Sequence, residues 1–92
     1  TLAIDEVTPT IHNNVEVSIF PNPNNGKGKL IVSGINDPYK IEIFDVGGKV
    51  VFSQANILTK EFEFLLNNAS GYYTYKVSAE KIKPLVGKLI IE

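Results

Sequence analysis

Tyr39-Lys40-Ile41-Glu42-Ile43-Phe44-Asp45-Val46-Gly47-Gly48-Lys49-Val50-Val51-Phe52 is the stretch on which the fold turns. Tyr39, Ile41 and Ile43 fall on one face of an extended chain, and Lys40 and Glu42 on the other. That is the period of a half-buried strand. Gly47-Gly48 supplies the positive φ that a tight hairpin demands. Lys49 to Gln54 then returns as a second strand, with Val50 and Phe52 on one face. A strand, a tight turn and a returning strand form the unit of an antiparallel sheet.

The same signals recur on both sides. Toward the N-terminus, Val15, Val17 and Ile19 alternate with Glu16, Ser18 and Phe20. Pro21-Asn22-Pro23-Asn24-Asn25-Gly26 stops that strand, because two prolines remove two backbone donors and Gly26 can take φ > 0. Gly28 to Ser33 follows, with Leu30 and Val32 on one face. Toward the C-terminus, Glu61 to Leu66 alternates cleanly, Asn67 to Gly71 turns the chain, and Tyr72 to Ala79 runs with Tyr73, Tyr75 and Val77 inward. Val86 to Ile91 is the last strand. Ser53 to Lys60 has room for a short turn of helix. Seven short strands at roughly ten-residue spacing, with turn residues between them, predict an antiparallel β-sandwich. The expected core is Val17, Ile19, Leu30, Val32, Ile41, Ile43, Val50, Phe52, Phe62, Phe64, Tyr73, Tyr75, Val77 and Ile90, with Val86 at its margin.

Residues 1–14 read differently. Thr8-Pro9-Thr10 and His12-Asn13-Asn14 are loop chemistry, and Pro9 interrupts any ladder. They are expected to form a linker or loosely held leader, with one domain over residues 15–92. The chain lacks Met even at position 1, so it is expected to be an excised fragment or processed product.

Composition narrows the function. A chain of 92 residues with 43% hydrophobic and 21% charged residues is one ordinary globular domain. All nine basic residues are lysine and the net charge is -1. Nucleic-acid binding is therefore disfavoured, since it draws on a basic surplus and guanidinium forks. No apolar run approaches the ~20 residues that span a bilayer.

Reactive groups are scarce. His12 is the single histidine and there is no cysteine, so neither a His-rich metal site nor a thiol nucleophile is available. Ser70-Gly71 lacks the flanking glycines of a nucleophile elbow and reads as a turn. Glu61 and Glu63 share a face but alternate with Phe62 and Phe64, the pattern of a solvated sheet face. Asn22, Asn24, Asn25 and Asp45 offer oxygens to a Ca²⁺ ion, without the acidic loop that binds one tightly. Asn68-Ala69-Ser70 matches the short glycosylation acceptor pattern. Tyr72 should point outward, and a sugar-stacking platform would need it together with Phe20 or Phe44. The expectation is a non-enzyme with no cofactor and no metal.

Three segments, in order, resemble the type IX secretion C-terminal sorting domain, the Por secretion tail family. Ile19 to Lys27 is similar to its aromatic-Pro-Asn-Pro opening. Ile41 to Val51 is similar to its strand, Asp, Gly-Lys hairpin and return. Ala69 to Val77, with Gly87 to Glu92 behind it, is similar to its Ser-Gly-aromatic-Tyr strand and terminal strand. The chain departs from the family in ending on Glu92 rather than a basic residue, and in Thr74 where an apolar residue is common.

The resemblance implies a seven-stranded, immunoglobulin-like antiparallel sandwich at the end of a cargo protein of a Gram-negative, Bacteroidota-type bacterium. The cargo reaches the periplasm by a separate signal, and the outer-membrane translocon or its shuttle protein reads the folded domain. A sortase-like protease commonly removes it, and the cargo stays on the cell surface or is secreted. The residues expected to meet the translocon are Pro21, Asn22, Pro23, Gly26, Asp45, Gly48, Lys49, Gly71, Tyr73, Lys88, Leu89, Ile90 and Ile91. The last strand is expected to offer an open edge for pairing. Weak self-association through edge strands is a further expectation. The competing expectation is a carbohydrate-binding or spacer module of a secreted enzyme or adhesin.

Overall fold

The computed structural model describes residues 10–12, 15–67 and 69–92. The described residues form eight strands: β1 (Thr10–His12), β2 (Val15–Phe20), β3 (Lys27–Ser33), β4 (Tyr39–Phe44), β5 (Val50–Ile57), β6 (Glu61–Leu65), β7 (Gly71–Ala79) and β8 (Leu85–Ile91). They make two four-stranded sheets, ordered β1-β2-β3-β6 and β5-β4-β7-β8. Every pairing between these strands is antiparallel. The seven expected strands are all present. β1 adds a short eighth, pairing with Val15 to Val17 from within the stretch expected to be leader.

Alternation decides what lies between the sheets. β2 turns Val15, Val17 and Ile19 inward, β3 turns Leu30 and Val32, and β6 contributes Phe64. From the facing sheet, β4 contributes Tyr39, Ile41 and Ile43, and β7 contributes Tyr73, Tyr75 and Val77. Each such aliphatic side chain taken fully out of water contributes about 1.5–3 kcal/mol. Phe52 lies 6.1 Å, centroid to centroid, from both Phe62 and Phe64. These tilted rings join the sheets on the β5–β6 side.

The structure corrects several expectations. Ser53 to Ile57 continues β5 rather than turning into a helix, with Asn56 at φ 57°. Val50 is 44% exposed and not core. Ile43 pairs with Phe52 but Phe44 with Val50. Val51 is thus an extra residue, a bulge that shifts the alternation and delivers Val50 to the outer face opposite Phe44. Phe52 and Phe62 pack against the core but stay half-buried.

In β8 the expected phase was reversed. Leu85, Leu89 and Ile91 are buried, Ile90 is half-buried, and Val86 is exposed. Gly87 pairs with Tyr75, and a Cβ there would overlap the Tyr75 ring. The one residue small enough to sit under that ring therefore faces inward and sets the phase of its neighbours.

Candidate functional site

The expected site residues gather at one end of the sandwich. β4 leaves toward its hairpin at the level of Thr74, near the start of β7. Gly71 at that start pairs with Ile91 at the end of β8, and Tyr73 pairs with Leu89. The Pro21–Lys27 turn leaves β2 at the same end and reaches Ile91 through an isolated parallel bridge from Asn24. Hairpin and turn are separated by β7 and β8.

The turn is laid along the outer edge of β8. Asn22 Nδ2 donates to the Lys88 carbonyl (2.8 Å), and the Ile90 amide donates to Asn22 Oδ1 (3.1 Å). Two residues on, the Asn24 amide donates to the Ile90 carbonyl (3.0 Å), and the Glu92 amide donates to the Asn24 carbonyl (2.8 Å). The side chain of Asn22 thus does for Lys88 and Ile90 what the backbone of Asn24 does for Ile90 and Glu92. Together they imitate a neighbouring strand from residue 88 to 92. The peptide bonds before Pro21 and Pro23 are both cis.

Asn24 holds this turn in shape. It is the buried polar residue of the described core. Its Nδ2 donates to the Pro21 carbonyl (2.9 Å) and its Oδ1 accepts from the Gly26 amide (2.8 Å). Asn25 Oδ1 accepts more loosely from the Lys27 amide (3.3 Å). Gly26 closes the turn at φ 104°, and its carbonyl accepts from the Leu66 amide (2.7 Å). A Cβ at Gly26 would overlap the Leu66 carbonyl oxygen.

The hairpin is braced separately. Asp45 Oδ1 accepts from the amides of Gly47 and Lys49, both at 2.9 Å. The Asp45 amide donates to the Lys49 carbonyl and the Gly48 amide to the Asp45 carbonyl. Gly48 takes φ 87°. The oxygens weighed as Ca²⁺ ligands on Asn22, Asn24, Asn25 and Asp45 therefore each accept a backbone amide. Among the described residues, no three His, Cys, Asp or Glu side chains converge.

Burial divides the expected contact residues. Pro21, Lys49 and Lys88 are exposed, as is Gly48, and Asn22, Pro23, Asp45, Gly71 and Ile90 are half-buried. Gly26, Tyr73, Leu89 and Ile91 are buried and shape the surface from below. Tyr73 also clamps the turn into β7, its hydroxyl donating to the Ala69 carbonyl at 2.6 Å. Sequence reasoning placed Asn24 in the turn and weighed it as a metal ligand, but did not single it out as the residue that braces the turn. Its Asn-x-Gly spacing, typical of an Asx turn, was the available signal.

Tyr72 does point outward, on the outer face of the β5-β4-β7-β8 sheet, as does Phe44. Phe20 lies on the opposite sheet, opposite Lys29, so these rings do not form one platform. The side chain of His12 and the acceptor Asn68 lie outside the described residues.

A family model described as a secretion system C-terminal sorting domain matches residues 18–92. A crystal structure of a DUF3244 family protein from Bacteroides vulgatus ATCC 8482, with an immunoglobulin-like β-sandwich fold, superposes with a TM-score of 0.70. It is 14% identical, and the match covers 95% of this chain and 100% of that one. At that identity it establishes the fold alone, an immunoglobulin-like sandwich. No curated protein matches the chain.

Proposed function

The chain belongs to the secretion system C-terminal sorting domain family, and on that premise we propose that it acts as a non-catalytic signal whose folded end is read as a shape. Family membership makes it a sorting signal for the type IX machinery, which exports cargo to the cell surface or beyond. The finer reading is that the translocon or its shuttle protein docks on the Pro21–Lys27 turn and β8. Residues 15–92 would be the signal, and residues 1–14 the leader in which a sortase-like protease cuts it from the upstream cargo. The path runs through the periplasm of a Gram-negative, Bacteroidota-type cell.

One observation carries this reading: the Asn22 and Asn24 bonds to Lys88, Ile90 and Glu92 weld the turn and the last strand into one surface. A partner that reads shape needs fixed groups, and a preordered turn lowers the entropy lost on docking. The same bonds occupy the β8 edge from residue 88 to 92, so docking on the composite surface is favoured over strand addition at that edge.

The test is a transplant. Residues 1–92 are fused to an inert periplasmic reporter in a type IX-competent bacterium, and fractionation with mass spectrometry locates the product. Surface or medium localisation, with clipping within residues 1–14, is expected. Retention of an intact reporter in the periplasm would sink the reading. Deleting residues 87–92 is a poor control, because it removes the buried Leu89 and Ile91 and unfolds the domain. Folded variants at Asn22 are the sharper probe.

The alternative, a carbohydrate-binding module, rests on the exposed Tyr72 beside Phe44. Titration with polysaccharides, followed by tyrosine fluorescence, tests it directly.

A further inference from the structure

We propose that the outer face of the β5-β4-β7-β8 sheet docks an acidic, partly apolar protein surface of the export machinery. The inference rests on the sorting reading above and deepens it by naming the partner's chemistry.

The two outer faces of the sandwich differ in sign. On the β1-β2-β3-β6 sheet, the outward positions of β2, β3 and β6 carry Glu16, Glu61 and Glu63 against Lys27 and Lys29, and Lys29 is tied to Glu61 at 3.2 Å. On the other sheet, Lys40, Lys76 and Lys88 stand against Glu42 alone. Glu42 is taken by Lys40 at 3.6 Å. Among the described residues, Lys76 and Lys88 have no carboxylate within salt-bridge distance.

Lys76 lies between Glu42 on β4 and Val86, which is 55% exposed, on β8, and Lys88 pairs with Thr74. Tyr72, 54% exposed, pairs with Ile90 in the next row. A face with three lysines to one glutamate that also exposes Val86 and Tyr72 suits a partner with carboxylates set in an apolar patch. Burial would supply affinity, and opposite charge would set orientation and speed encounter. The face also continues into the proposed recognition surface, since the Lys88 carbonyl is the group that holds Asn22.

The experiment uses the full-length reporter fusion and compares three forms. Lys76→Glu with Lys88→Glu reverses the face. Lys60→Glu with Lys83→Glu makes the same charge change on exposed residues outside its strands. Unfused residues 1–92 carrying each pair are melted to confirm folding, and Lys76→Gln with Lys88→Gln stands in if the reversal fails to fold. The reversed face should lower the exported fraction about tenfold or more, as for loss of close interfacial charge pairs. The control pair should export like wild type.

Equal export of the reversed-face and wild-type fusions overturns the inference while leaving the sorting reading intact. An equal drop in both variant pairs also overturns it, because net charge and not this face would then matter. Retention of the wild type overturns the sorting reading and this inference with it. Sedimentation of wild type as salt-sensitive oligomers, lost in the reversed-face form, would assign the face to a second copy instead and overturn the proposed partner.

Discussion

The amide of Ile90 donates to the side-chain oxygen of Asn22, which lies 68 residues earlier in the chain, at 3.1 Å. With the return bond from Asn22 to the Lys88 carbonyl, one side chain occupies two backbone positions that a neighbouring strand would occupy. An edge strand is an invitation to wrong pairing. Here the edge of β8 is closed by a turn, and no further strand is needed.

Asn22→Ala should lower stability by about 1–2 kcal/mol, since two bonds to the last strand are lost and one of their backbone partners is partly buried. For a domain of this length that is a fall in Tm of about 4–16 °C. Hydrogen exchange at Ile90 should accelerate more than at Leu89, whose amide is not served by Asn22. Unchanged protection at Ile90 would mean that Asn24 alone holds the turn.

Gly26→Ala and Gly48→Ala should separate backbone strain from collision. Both positions have φ in the left-handed region, 104° and 87°, which costs a residue with a Cβ about 1–2 kcal/mol. Nothing lies near a Cβ at Gly48, whereas at Gly26 the Leu66 carbonyl stands in its place. Gly48→Ala should cost about 1–2 kcal/mol, and Gly26→Ala about 3 kcal/mol or more. Chemical denaturation of both checks the order, and equal losses would contradict it.

Asp45→Asn should be mild and Asp45→Ala costly. The asparagine keeps an oxygen for the Gly47 and Lys49 amides, and the alanine leaves both to water. The expected losses are a few tenths of a kcal/mol for Asn and about 1–2 kcal/mol for Ala. Equilibrium unfolding measures both.

Tyr39 should make stability fall at alkaline pH. Burial raises its pKa above the ordinary value of 10.0. The unfolded chain thus releases the phenolic proton first, and the unfolded state gains from rising pH. The Tyr39 contribution is complete below pH about 10 and is lost as pH rises through the folded pKa. Tyr39→Phe loses the 2.8 Å bond to the Thr59 carbonyl and should cost about 1 kcal/mol at neutral pH. The gap between the two proteins should narrow above pH about 10. Thermal melts from pH 7 to 11 test this, and a widening gap would refute it.

Legibility varied from strand to strand for a physical reason. Through Val15–Ile19, Tyr39–Ile43 and Tyr73–Val77 a polar residue separates each hydrophobe from the next, so only one face can be buried and the reading was secure. Leu89-Ile90-Ile91 and Val50-Val51-Phe52 are apolar runs, and in such a run either phase buries a hydrophobe. The packing of Gly87 against Tyr75 resolved the first run, and the bulge at Val51 resolved the second. The turn motif was legible as a turn, because two prolines and a glycine leave the backbone few choices. What it touches was not, since contacts between residues 22 and 90 leave no trace in local pattern.

The sequence by itself determined the class of fold, the number of principal strands, the turns and the family. Those follow from period, from φ restrictions and from the order of short motifs, all of which are local. Only the tertiary structure decided that the last strand's edge is covered by Asn22 and Asn24, that Leu89 and Ile91 are core, and that Lys40, Lys76 and Lys88 share one outer face. Each depends on which strands become neighbours, and that is set by the burial of the whole sandwich.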